Sequence, residues 1–230
     1  MKITYIHHSC FLAESARAYY LFDYESGALP PLDPCKPIIV LVSHVHHDHY
    51  QPGIFSLLAD LGMRSVRPVL SADIPLPQPL QWQPLIAVPG QEYMLGPSLS
   101  LLTLRSTDEG IAFLLSDHGE LLYHAGDLND WYWEGEDDTW NRQMTLDYRA
   151  EIDLLAQKLR GRHPDIAFVV LDPRQEASYA RGMLYFLRTV GATQVFPMHY
   201  WDQPQIIQRF LSEYPQYATC IADTEQYRYY

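Results

Sequence analysis

The order of apolar runs predicts a mixed α/β (α+β) chain, with two packed β-sheets and helices on their outer faces. Three observations carry that expectation. Strand-like runs crowd the first part of the chain. Strands and helical patterns then alternate toward the end. The 230 residues, 47% hydrophobic and 19% charged, supply one large core. One domain over residues 1–230 is therefore expected.

The early strands read as Ile3–His7, Phe11–Glu14, Tyr19–Asp23 and Ile38–Ser43. A helix is expected from Ile54 to Leu61, with Pro52 near its start and Gly62 at its end. Six prolines between Pro68 and Pro89 exclude a long helix and predict an irregular crossing with short strands. Leu99–Leu104, Ile111–Ser116 and Leu121–His124 read as further strands, the last two joined by a tight turn at Asp117-His118-Gly119. Thr145–Arg160 has helical spacing and stops at Gly161. Then come a strand at Ile166–Leu171, a helix at Tyr179–Val190, a short strand at Gln194–Pro197 and a helix at Gln203–Tyr214.

Charge narrows the function. Sixteen basic against 28 acidic side chains give a net charge of −12. That balance disfavours nucleic acid, whose phosphates require a positive surface. It leaves anionic small molecules open, because a divalent cation reverses the local sign. No apolar run approaches the roughly 20 residues that cross a bilayer, and no signal-peptide pattern opens the chain, so no membrane role is expected. Cys10, Cys35 and Cys220 are scattered and odd in number, and form neither a disulfide framework nor a zinc site. A reducing cytoplasm is the expected location.

The most informative stretch is Ser43-His44-Val45-His46-His47-Asp48-His49-Tyr50. Five of the six residues from His44 to His49 are metal-ligand types, and they follow a β-branched apolar run. Imidazole and carboxylate suit zinc, and also iron or manganese. His44 and His46 are two apart, so in extended chain both face one side and can grip one cation. Asp48 and His49, after a short bend, can reach a second. His47 points away by the same alternation.

Two distant segments repeat this logic of a strand delivering a ligand at its end. Leu121-Leu122-Tyr123-His124-Ala125-Gly126-Asp127 places a carboxylate after a strand, and Val195-Phe196-Pro197-Met198-His199 places an imidazole after another. With these pieces the chain resembles the metallo-β-lactamase-fold hydrolases. Tyr5 to Leu12 resembles the first hairpin of that superfamily's ascorbate-phosphate-lactonase-like branch. The resemblance implies a four-layer αββα sandwich of two mixed β-sheets. It implies that His44 and His46 bind a first metal, that Asp48, His49 and His199 bind a second, and that Asp127 bridges them. It implies one or two divalent ions, zinc foremost with manganese or iron as alternatives.

The family usually supplies a third histidine to the first site, between the His cluster and the Gly-Asp motif. This chain instead has Leu104-Arg105-Ser106-Thr107-Asp108-Glu109-Gly110, and no histidine from Tyr50 to Asp117. Three readings stand: Asp108 replaces the imidazole, the first site is weak or empty, or the Arg105 guanidinium stands in for a cation.

The expected chemistry is hydrolysis of a small anionic ester, lactone or phosphodiester, with Asp48 orienting the nucleophile or moving its proton. His8, Arg105, Trp131 and Arg174 are candidate substrate contacts. Trp131 belongs to an aromatic segment, 130–140, that serves either as a lid or as core packing. The alternatives are a metal-binding protein of the same fold without turnover, or a nuclease of the ribonuclease Z type. Oligomeric state is left open.

Overall fold

The structure is a computed structural model that describes residues 1–76 and 81–230. The chain divides into two compact units, residues 1–88 with 224–230, and residues 89–223. Each carries one mixed six-stranded sheet, so the expectation of two mixed sheets with helices holds.

The first unit contains β1 (Lys2–His7), β2 (Cys10–Glu14), β3 (Tyr19–Phe22), β4 (Ile38–Val42), α1 (Ile54–Asp60), β5 (Val66–Ser71) and β6 (Leu85–Ala87). Its strands lie side by side in chain order. β1, β2 and β3 pair antiparallel, whereas β3 to β6 run parallel. β4 is buried at all five positions, as its unbroken Ile-Ile-Val-Leu-Val run requires of a central parallel strand. Ile38, Val40 and Val42 pack with Ile54 and Leu58 of α1 in the core. The last residues return to this sheet, where the Tyr229 amide donates to the Tyr5 carbonyl at 2.9 Å. The proline-rich crossing contains β6, and its positions 77–80 lie outside the described residues.

The second unit contains β7 (Glu92–Gly96), β8 (Leu99–Arg105), β9 (Ile111–Asp117), β10 (Glu120–His124), α2 (Asp138–Leu159), β11 (Ile166–Val170), α3 (Arg181–Thr189), β12 (Gln194–Met198) and α4 (Gln205–Glu213). The sheet order is β12-β11-β10-β9-β8-β7. β7 to β10 form an antiparallel meander, and β10, β11 and β12 are parallel. His118 and Gly119 take φ of 51° and 90° at the β9–β10 turn, the left-handed pair that a two-residue hairpin requires.

α2 starts seven residues before the expected Thr145. The Asp137 carboxylate accepts from the amides of Thr139 and Trp140 and caps the helix there. β7 was not expected at all. No helix among the described residues is long and apolar enough to cross a membrane.

Each sheet's parallel strands point their carboxyl ends to one edge. β3 and β4 share an edge in the first unit, and β10, β11 and β12 share one in the second. Open sheets gather functional groups at such edges. Asp23, Ser43 and His44 follow β3 and β4, while Asp127, Asp172 and His199 follow β10, β11 and β12.

Candidate metal centre

In the first unit the structure brings His8, His44, His46, Asp48 and His49 together. His44 and His49 are fully buried, and their rings lie 4.1 Å apart. The segment after His44 bends into one helical turn, since the amides of His49 and Tyr50 both donate to the His46 carbonyl at 3.0 Å. The Asp73 carboxylate accepts the Val45 amide at 2.9 Å and pins the loop's outer side. His47 is exposed as expected, but it lies on this turn and not in the extended chain from which that expectation came.

A residue that sequence reasoning passed over governs this cluster. Asp23, with no exposed surface, accepts the Ser43 amide at 2.7 Å and the Ser43 hydroxyl at 2.6 Å. Its Oδ2 also accepts from His49 Nδ1 at 2.8 Å. The Ser43 hydroxyl, its proton committed to Asp23, accepts from His44 Nδ1 at 2.9 Å. Both imidazoles therefore carry their proton on Nδ1 and present Nε2 as a lone pair, the state that binds a metal. The available signal was Asp23's place directly after the apolar run Tyr19–Phe22.

His44 Nε2 and His46 Nδ1 lie 3.1 Å apart. Two nitrogens about 2.0–2.1 Å from one tetrahedral zinc are separated by roughly 3.3 Å. The donor pair therefore fits a cation. The ligand atoms of His8, Asp48 and His49 lie within 4.8 Å of one another. His8 is buried, with a left-handed φ of 48°, and its Nε2 is 3.5 Å from Asp48 Oδ2. Burial alone would raise the Asp48 pKa, but the neighbouring His8 and His49 rings and the Asp48 backbone amide outweigh it. They hold the carboxyl far below the usual range.

The second unit repeats the device. Asp172, fully buried, accepts from His199 Nδ1 at 2.9 Å and leaves Nε2 forward. That Nε2 is 3.4 Å from Asp127 Oδ1. Burial raises the Asp172 pKa, while His199 and Arg174 lower it further than burial lifts it. His199 adopts a φ of 65°, and Trp201 and Asp202 are also left-handed, at 47° and 54°. Three such non-glycine residues in four positions store strain of order 1–3 kcal/mol each, as functional loops do.

The remaining candidates fall as follows. Trp131 is buried, donates its indole N–H to the Asp127 carbonyl at 2.8 Å, and sets its ring edge-on to His199 at 5.5 Å. Its ring is therefore fixed packing beside the Asp127 carbonyl. Arg105 and Asp108 are both exposed near the β8–β9 turn. Thr107 is the side chain of that segment that ties inward. Its hydroxyl donates to the Asn129 carbonyl at 2.6 Å and accepts the Asn129 amide at 3.0 Å. Arg174 is half exposed and bonded to Asp172.

Residues 2–132 match the family described as the Beta-lactamase superfamily domain. A protein of Methanoculleus marisnigri named UPF0173 metal-dependent hydrolase is 27% identical over 218 residues, covering 90% of this chain and 84% of its own. Igni18, a metallo hydrolase of the hyperthermophilic archaeon Ignicoccus hospitalis, has a similar structure. Its TM-score is 0.64 at 17% identity, covering 96% of this chain and 93% of its own. CmlA, a diiron β-hydroxylase of Streptomyces venezuelae, reaches a TM-score of 0.61 at 12% identity, over 95% of this chain and 52% of its own. The chain belongs to the beta-lactamase superfamily, the group of metallo-β-lactamase-fold proteins that the His44–His49 motif resembles.

Proposed function

We propose that the chain is a metal-dependent hydrolase of a small anionic ester, lactone or phosphodiester. The observation that carries this reading is the paired device of a buried aspartate behind a forward-facing imidazole. Asp23 stands behind His49 and Asp172 behind His199, each at the carboxyl edge of parallel strands. Such carboxylate–histidine pairs orient metal ligands and raise their basicity.

In this reading the first unit supplies His44, His46, Asp48 and His49 as donors, and the second unit supplies Asp127 and His199. The exposed positions of Arg105 and Asp108 favour a first set without an extra donor. A bound divalent cation supplies a water acidic near pH 7 and polarises the scissile carbonyl or phosphoryl oxygen. Asp48, its Oδ2 3.5 Å from His8 Nε2, would orient the attacking water or move its proton. Trp131 keeps bulk water from the His199 side. Zinc, manganese and iron all suit these donors. Zinc is the first ion to test, and iron is the second, since the similarly folded CmlA is a diiron protein.

The test is metal content by elemental analysis together with hydrolysis of bis-p-nitrophenyl phosphate, p-nitrophenyl acetate and a simple lactone. The expected result is turnover that a chelator abolishes and added metal restores. Asp127→Ala should lose both metal and turnover. Hydrolysis that survives this substitution with metal content unchanged would end the assignment.

A further inference from the structure

We infer that Arg174, flanked by Trp133 and Trp201, anchors a terminal oxyanion of the substrate. This rests on the hydrolase reading above and adds a substrate class to it, a molecule with a scissile bond at one end and a carboxylate or phosphate at the other.

The guanidinium is pre-set by its inner edge. Asp172 Oδ1 and Oδ2 accept Arg174 Nε at 3.0 and 2.9 Å, and Oδ2 accepts Nη2 at 2.5 Å. The planar fork is thereby held in one orientation, so little rotamer entropy is lost on binding a ligand. The charged carbon lies 4.5 Å from the Trp201 ring centre and 5.8 Å from that of Trp133. Among the described residues Nη1 has no hydrogen-bond partner, and the side chain is 45% exposed. The outer edge thus presents donors to an incoming anion between two partly exposed indoles. Bidentate pairing with an oxyanion is what that edge supports.

The surroundings are built to keep this geometry. Gln175, buried beside Arg174, accepts from Asn129 Nδ2 at 2.8 Å. It donates to the carbonyls of Asp130 and Tyr132 at 2.8 and 3.3 Å. That network ties the arginine's segment to the loop bearing Trp131 and Trp133, whose rings stack at 5.9 Å. Asp172 also accepts the Trp201 indole N–H at 3.3 Å. One carboxylate therefore places His199, Arg174 and Trp201 together. An anion on Arg174 is in register with the chemistry at His199.

The test is calorimetric titration of the full chain, as purified, with benzoate, phenyl phosphate and benzyl alcohol. Benzoate and phenyl phosphate separate the carboxylate and phosphate sources of the oxyanion, and benzyl alcohol is the neutral control. The expected result is that at least one oxyanion binds at least tenfold more tightly than benzyl alcohol. Arg174→Gln should remove that margin at equal metal content, and Arg174→Lys should restore only part of it. Oxyanion binding that Arg174→Gln leaves unchanged would assign the anion to the metal donors and overturn the inference. Should that variant fail to fold, equal affinity of the wild-type chain for all three ligands would overturn it alone. Absence of turnover on every ester, with oxyanion binding retained, would count against the hydrolase reading only.

Discussion

Asp23 fixes the proton on His44 without touching it. The Ser43 hydroxyl gives its hydrogen to Asp23 and accepts the one on His44 Nδ1, so the aspartate's charge sets the tautomer of a ring one residue further away. The same carboxylate meets His49 directly. A single buried charge thus aims two imidazoles.

This relay separates two substitutions. Asp23→Asn should disturb both rings and lower metal affinity by about 10–100-fold. Ser43→Ala should disturb His44 alone and weaken only the looser of two binding events. Competition against a chromophoric chelator reads both affinities. Equal effects of the two variants on the tighter event would contradict the relay.

Asp172→Asn is expected to act on the other ligand. It removes the charge and one of the two oxygens that hold His199 Nδ1 and Arg174 at once. Metal affinity should fall by a similar 10–100-fold, and added metal should recover occupancy without recovering the fixed arginine. Elemental analysis across a metal titration checks the first part. Occupancy indistinguishable from wild type at limiting metal would refute it.

Gly182→Ala reverses a common rule. A glycine to alanine change inside a helix usually stabilises, by roughly 0.4–1 kcal/mol. Here Gly182 sits in the first turn of α3, and a Cβ would overlap the Asn129 carboxamide oxygen. Asn129 cannot yield cheaply, since it is buried and bonded to Gln175 and Thr107. Overpacking of this kind costs about 1–3 kcal/mol, or a melting point lower by roughly 2–12 °C for a chain of this size. Differential scanning calorimetry decides the sign.

Acid should weaken the metal-free protein through Asp48 and Asp172. Both carboxyls have lowered pKa values in the folded chain. On acidification the unfolded chain takes up their protons first, near pH 4. The stability they contribute is therefore complete above about pH 4 and is lost as pH falls through the lower folded values. Urea unfolding at pH 6 and pH 3 should show the gap between wild type and Asp172→Asn shrinking toward acid. A gap independent of pH would exclude the aspartate as its cause.

Much of this was readable before any coordinates. The unbroken apolar run Ile38–Val42 announced a central strand, and the ligand types crowded behind it announced a site. Asp23 was invisible for a physical reason. One aspartate after a strand is what any turn looks like, and only the third dimension brings Ser43 and His49 to it. β7 escaped because Glu-Tyr-Met-Leu-Gly is an edge strand. It pairs with β8 alone, and its residues favour neither alternation nor burial. The first turns of α2 escaped because their core side is not hydrophobic. Asn141, buried there, bonds to the backbone of Trp133 on both its amide groups instead of packing against carbon.

The hydrogen bond from Tyr229 to Tyr5 has a consequence for biosynthesis. Residues 89–223 are contiguous, so all six strands of their sheet leave the ribosome in one stretch. The sheet begun by the first 88 residues must wait for positions 224–230 before its outer strand is covered. Nascent chains halted before that point would carry an uncapped β1, the kind of open edge on which neighbouring polypeptides nucleate aggregates.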